Sequence, residues 1–147
     1  MSIRQQLDDT LKAAMKARDD LRLSAVRMVK SAVKNREIEQ RQALDDQGII
    51  DVLAMLVKQR RESIRLYREG NRPELAAREE QEMAVLLEFM PRQLEQAEIE
   101  ALVRRVIGES GASGMKDMGR VMKLVALETA GKADGKTVSD IVKQQLS

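Results

Sequence analysis

The sequence contains no cysteine, histidine or tryptophan, and its only aromatic residues are Tyr67 and Phe89. Without thiols and imidazoles, the chain can form no disulfide and has neither the ligands of the usual structural zinc sites nor a thiolate or imidazole for catalysis. The shortage of aromatic rings also argues against proteins that stack unpaired bases on aromatic side chains. Carboxylates, lysine and the hydroxyls of serine, threonine and tyrosine are left for chemistry.

Long apolar segments are also missing. No apolar run approaches the roughly 18 to 20 residues that cross a bilayer, and the start MSIRQQLDD carries acids where a secretory signal peptide has an apolar region. Lysine and arginine exceed aspartate and glutamate by only two, so attraction to a polyanion depends on how the charges are arranged. We therefore expect a soluble, cytoplasmic protein without a membrane partner.

Apolar residues recur every three or four positions along almost the whole chain, which is the spacing of amphipathic α-helices. Strand-like alternation is scarce, so the pattern predicts an all-α protein of seven helices, the first opened by capping-box spacing at Ser2–Gln5 and the third ended by Gly70. Pro91 removes a backbone donor and clashes with the preceding turn of a helix. We place a domain boundary there, which gives an N-terminal domain of about four helices over residues 1–90 and a three-helix tail domain over residues 91–147.

The third predicted helix carries a row of cations at spacings of three and four residues, which places them on one face beside the apolar face. A row of this kind can bind the phosphates of a polyanion. In the alternative interpretation the row is solvated and paired with carboxylates at i+4 and on the next helix. The cations are Lys58, Arg61, Arg65, Arg68 and Arg72, and the carboxylates are Glu62, Glu69, Glu79, Glu80 and Glu82.

A glycine-rich loop near the C-terminus briefly matches a phosphate-binding P-loop. The match fails because Ala130 stands where the first glycine is required and the preceding segment has helical rather than strand spacing. Gly131 instead suits a helix C-terminus and Asp134 the N-cap of the last helix. Lys132 and Lys136 flank that N-terminus and could receive a nucleic-acid phosphate. The capping and phosphate-binding interpretations are compatible.

No arrangement of residues indicates catalysis. The adjacent carboxylates Asp19/Asp20 and Asp45/Asp46 stand where helix caps are needed, and neighbouring residues on a helix do not face each other. We therefore expect no catalytic residue, no metal site, no cofactor and no small-molecule substrate.

Three segments occur together in an order that is fairly specific for one family. They are residues 31–39 (SAVKNREIE), Met90–Leu94 followed by Gly111-Ala-Ser and Asp117–Met122, and Gly131–Gly135 with the closing Leu146. Together they resemble the GatB/YqeY family over nearly the whole chain, and are closest to its stand-alone YqeY-type members. The resemblance implies an all-α fold with an N-terminal helical domain and a three-helix tail.

In the larger GatB proteins, this region belongs to a tRNA-dependent amidotransferase and helps to hold tRNA, while a separate ATP-using cradle supplies the ligase chemistry. The present chain has no room for that cradle. The family label of carbon–nitrogen ligase with glutamine as amido donor therefore implies no reaction by its residues. Carried over by position, the resemblance implies tRNA contacts by Lys116, Arg120, Lys123, Lys132 and Lys136.

We therefore expect a non-catalytic accessory module that binds tRNA, or a tRNA–protein complex, through phosphates and shape rather than bases. The alternative is a protein-interaction adaptor for an aminoacyl-tRNA synthetase, an amidotransferase or another translation factor. Its docking face would carry Met115, Met118 and Met122, although methionines at helical spacing usually fill a core.

Overall fold

The computed structural model describes all 147 residues, and its regular elements are all helical. This confirms the predicted all-α class and the number of α-helices. Contacts group the chain into two compact units, Met1–Met90 and Pro91–Ser147, and no helix combines the length and apolarity needed to cross a membrane. The elements are α1 (Ile3–Ala17), α2 (Asp20–Gln40), α3 (Asp46–Glu69), α4 (Pro73–Leu87), α5 (Gln96–Ser110), a 3-10 turn (Met115–Asp117), α6 (Met118–Thr129) and α7 (Gly135–Leu146).

The first unit consists of α1 to α4 around one apolar core. Local capping starts its helices: the Ser2 hydroxyl accepts from the Gln5 amide and the Gln5 side chain accepts from the Ser2 amide, the predicted capping box. Asp19 and Asp45 cap α2 and α3, each by accepting from the backbone amide three residues further on, without the reciprocal bond. The most deeply buried large side chains of this unit are Val26, Val29, Ile49, Val52, Leu53 and Leu86.

The turn between α3 and α4 differs in detail from the prediction. Gly70 ends α3 as expected, but its φ is −82° and the left-handed residue is Asn71, with φ 57°. Asparagine tolerates this conformation better than most residues. Space around Gly70 is also tight, because a Cβ there would lie 3.3 Å from the Leu66 carbonyl oxygen and would need a small backbone adjustment. Pro73 then occupies the first turn of α4, where its missing amide costs nothing.

A largely buried arginine joins α3 to α4. The Arg60 side chain is 15% exposed, and its Nε lies 3.0 Å from Glu82 Oε2 and 3.1 Å from Glu79 Oε2. Its guanidinium also contacts the Met28 sulfur on α2. Glu79 Oε2 is buried and accepts no hydrogen bond of good geometry, so the cation is what compensates the charge of that carboxylate.

The second unit packs α5, α6 and α7 around a small valine-rich core that includes Val103, Val121, Val125 and Val142. The predicted sixth helix begins as the 3-10 turn and continues as α6. Met118 and Met122 pack against the core, as methionines at this spacing usually do, whereas Met115 is 48% exposed.

The loop between α6 and α7 is fixed by backbone hydrogen bonds. Gly131 takes the left-handed conformation, with φ 75°, which an L side chain would strain. The Gln93 amide group donates to the Gly131 carbonyl, and the Leu94 amide donates to the Lys132 carbonyl at 2.8 Å. The segment that precedes α5 therefore holds this loop in place.

Removing the Arg60 cation should destabilise the first unit. We expect Arg60→Ala to lower the free energy of unfolding by about 3 kcal/mol, because the poorly solvated Glu79 loses its counter-charge and Glu82 keeps only Arg78, at 3.7 Å. Arg65→Ala on the same helix is the control, since its ion pairs are about half exposed and should contribute under about 1 kcal/mol. Urea denaturation followed by circular dichroism measures both changes, and equal losses would contradict this role of Arg60.

Candidate nucleic-acid interface

The cation row of α3 lies beside a groove between α3 and α4. Arg61, Arg65 and Arg68 line this groove of about 440 Å³ together with the apolar side chains of Ile64 and Met83. The other two members stand apart from it: Lys58 is exposed earlier on α3, and Arg72 lies beyond its end as the N-cap residue of α4. The structure thus brings three of the five predicted cations around one surface.

Carboxylates already occupy much of that row. Arg65 donates to both Glu62 and Glu69, which raises the pKa of its guanidinium, and Arg68 pairs with Glu80 across the hairpin. The expected approach of an α4 carboxylate to the row is confirmed at Glu80. Glu79 and Glu82 instead pair with Arg60, which the sequence interpretation had not included. A phosphate would have to compete with these carboxylates, so the paired interpretation describes much of the row.

The second unit presents a different surface on the side of α6 that faces away from its core. Arg120 and Lys123 are exposed there, and Lys116 is exposed in the preceding 3-10 turn. Leu127, at 82% exposure, and Leu124, at 39%, lie among these cations. We call this surface the α6 outer face: Lys116, Arg120, Lys123, Leu124 and Leu127.

The helical repeat explains why these side chains share one face. Val121 and Val125 are fully buried, and residues 120, 123 and 127 point to the opposite side at about 100° per residue. Lys116 and Lys123 form no ion pair or hydrogen bond through their side chains. The cations of this face are therefore less neutralised than those of α3.

Arg120 is anchored to the C-terminal end of α5 and to the 3-10 turn. One guanidinium nitrogen donates to the Ser110 carbonyl oxygen at 2.7 Å, and the other lies 3.2 Å from the Asp117 carboxylate. Asp117 also accepts from the Ser113 amide at 3.0 Å. This amide hydrogen bond first, and Arg120 second, lower the pKa of Asp117 below its usual 3.8. The pair orients the loop and leaves the guanidinium about half exposed.

The remaining predicted lysines flank the α6–α7 loop. Lys132 is exposed and forms no side-chain ion pair, while Lys136 lies 3.9 Å from Asp140, at the limit of an ion pair. Asp134 caps α7 by accepting from the Thr137 amide and hydroxyl, so it occupies an amide that a phosphate at this N-terminus would use. The preceding element is α6 rather than a strand, which also excludes a P-loop.

The structure shows the adjacent carboxylates in capping positions. Asp19 accepts from the Arg22 amide and Asp45 from the Gly48 amide, which agrees with their predicted capping role. No group of three or more Asp or Glu side chains is arranged to hold a metal ion.

Two features of these surfaces were missed by the sequence interpretation. Arg60 lies next to the cation row in sequence, but only the hairpin register shows that it faces Glu79 and Glu82. Leu124 and Leu127 have the spacing of core residues, yet they lie outside the core. Counting residues from Val121 and Val125 would have placed Leu127 opposite the core.

Comparison with known proteins gives a family match over nearly the whole chain. A family model described as Yqey-like protein matches residues 4–146. Curated relatives carry the name "Altered inheritance of mitochondria protein 41, mitochondrial". The protein from Lachancea thermotolerans is 36% identical over 106 residues, which are 70% of this chain and 57% of the relative. The protein from Vanderwaltozyma polyspora is 30% identical over 120 residues, which are 76% of this chain and 64% of the relative.

A shorter match joins the chain to the protein of the same name from Saccharomyces cerevisiae strain S288c, at 34% identity over 85 residues, 57% of this chain and 46% of the relative. The matches thus span about half to two thirds of the length of these relatives. The family description and the relatives' names state no catalytic activity.

The expected cytoplasmic location is wrong by this comparison, because the relatives are named as mitochondrial proteins. The physical reason for the error is simple. A water-soluble protein of the mitochondrial matrix and one of the cytoplasm satisfy the same constraints on composition and apolar runs. The missing signal-peptide pattern and the missing apolar span therefore do not distinguish the two compartments.

The pKa of Asp117 provides a test of the Arg120 contact. We expect Arg120→Gln to raise the pKa of Asp117 but to leave it below 3.8, because the Ser113 amide still donates. Since the folded-state pKa is depressed, the carboxylate stabilises the fold above its unfolded pKa, and this contribution is lost as the pH falls through the folded value. Carboxyl NMR titration measures the shift. Arg104→Gln, at an exposed position outside the contact, is the control, and an unchanged pKa in Arg120→Gln would contradict the assignment.

Proposed function

Because the chain belongs to the YqeY-like family and carries exposed, weakly paired cations on its second unit, we propose that it is a non-catalytic accessory module that binds tRNA. In this proposal, residues 1–90 form the N-terminal helical domain and residues 91–147 form the tail domain that carries the interface. The observation that supports it most is the exposure of Lys116, Lys123 and Lys132 without a carboxylate partner.

The proposed mode of binding is contact with phosphates and recognition of shape. Phosphates release counterions when lysine or arginine neutralises them, so the affinity of such a surface depends steeply on salt. The only aromatic side chains of the chain are one tyrosine and one phenylalanine, and Phe89 is buried. This leaves little surface on which to stack bases. The cations that contact tRNA in this proposal are Lys116, Arg120, Lys123, Lys132 and Lys136.

The cation row of α3 has a smaller part in the proposal. Arg65 and Arg68 already have carboxylate partners. A phosphate is therefore attracted less strongly to them than to an unpaired lysine. Lys58, Arg61 and Arg72 complete the predicted set, and the proposal gives them a secondary role at the edge of the α3–α4 groove.

A second candidate function is that of an adaptor for another protein. Leu124 and Leu127 favour it, because exposed leucines contribute little to phosphate binding and are typical of protein contacts. An aminoacyl-tRNA synthetase, an amidotransferase or another translation factor would be such a partner.

The tRNA proposal predicts that the affinity for tRNA falls steeply as the salt concentration rises, and that cations of the second unit cause most of this fall. We expect deacylated total tRNA to bind the full chain at low salt. Lys116→Glu/Lys123→Glu and Lys132→Glu/Lys136→Glu should each reduce the salt slope by about 1.5, since each lost phosphate contact removes roughly 0.7 to 0.9. Fluorescence anisotropy across a salt series measures both affinity and slope.

The matched control is Lys12→Glu/Lys16→Glu, which makes the same charge change at exposed lysines of α1. It should retain nearly the wild-type slope. An equal loss in this control would show that net charge rather than a surface governs binding, and no binding by the wild type at low salt would overturn the tRNA proposal.

A further inference from the structure

The α6 outer face combines exposed apolar area with positive charge. Leu127 is the most exposed leucine of the chain, and Leu124 lies one turn before it. Two neighbouring leucines on the solvent side of a helix form a small contiguous patch, and apolar side chains rimmed by charges are the kind of surface on which amphipathic helices dock. The patch needs an explanation that the core of the second unit does not supply.

The unpaired charges around the patch are positive. Arg120 and Lys123 lie on the same side of α6 as Leu127, and the single carboxylate of the helix, Glu128, is engaged by Arg105 at 2.5 Å. Asp117 pairs with Arg120, so Lys116 and Lys123 are the cations of this face that form no ion pair. A ligand that covers Leu124 and Leu127 therefore meets two unpaired lysines and a half-exposed, paired arginine at its rim.

This combination of leucines and cations favours an acidic protein partner over the other ligands that could cover the α6 outer face. A second copy of the chain in a two-fold arrangement would bring the cations of both α6 outer faces together, which is unfavourable. Nucleic acid matches the charge but gains little from burying leucine side chains. A helix with an apolar seam and flanking carboxylates matches both, because Arg120, Leu124 and Leu127 follow the i, i+4, i+7 spacing of helix-to-helix contacts.

We propose that the α6 outer face docks an acidic amphipathic helix of a partner protein. This rests on the adaptor function and names the chemistry of its partner. The apolar seam of that helix covers Leu124 and Leu127, while its carboxylates contact Lys123, Arg120 and Lys116. Since tRNA is proposed to use the same three cations, the acidic helix and tRNA exclude each other at this face.

A synthetic helical peptide tests the proposal on the full chain. The probe carries leucines at i, i+3 and i+7 with glutamates between them, and a second peptide has lysines in place of all the glutamates. We expect the acidic peptide alone to bind, and Leu124→Ser/Leu127→Ser to weaken it at least about tenfold through the lost burial of leucine. Lys116→Glu/Lys123→Glu should weaken it similarly, whereas Leu66→Ser, at another exposed leucine, should not.

Titration of total tRNA into the same variants separates this inference from the tRNA proposal. Leu124→Ser/Leu127→Ser should retain tRNA binding, because this variant keeps all the cations of the α6 outer face. Failure of the acidic peptide to bind, equal binding of both peptides, or an unchanged affinity in the leucine variant would overturn the docking proposal whatever the tRNA result. Both leucines are solvent-exposed, so an unchanged helical circular dichroism spectrum confirms that the variant folds.

Discussion

Pairing of arginine with glutamate across the α3–α4 hairpin is the interaction on which the charge distribution of the first unit depends. Arg60 lies between Glu79 and Glu82 in a largely buried site, and Arg68, about two turns later on α3, pairs with Glu80. A buried cation with two carboxylates tolerates little displacement, because an unpaired charge in such a site is costly. The hairpin register is thereby coupled to the neutralisation of the basic helix.

The second unit has fewer ion pairs between its helices. Arg92, in the segment before α5, bonds Glu98 and lowers the pKa of that carboxyl to about 2, and Arg105 of α5 engages Glu109 and, on α6, Glu128. Lys116, Lys123 and Lys132 are left in solvent. Basic side chains therefore bridge helices in the first unit, whereas in the second unit these three lysines are exposed without an ion pair.

The sequence predicted most strongly those features that depend on residues close together in the chain. The capping roles of Ser2 and Asp134 follow from spacings of three residues, and helical periodicity was sufficient for the all-α class. Pairings across a hairpin depend on register, which the sequence does not state, so Arg60 was missed. The exposure of Leu127 was missed for a related reason: leucine at helical spacing usually belongs to a core, and only its angle from Val121 and Val125 shows otherwise.

The most direct test of the account is to map tRNA binding on the protein by amide NMR. The account predicts that deacylated tRNA, added at low salt, shifts or broadens amide signals of residues 114–137, in and around α6 and its loop to α7, with much smaller effects along α3. Effects concentrated on residues 58–72 and absent from the second unit would contradict it, because they would show that the paired row rather than the exposed lysines receives the phosphates.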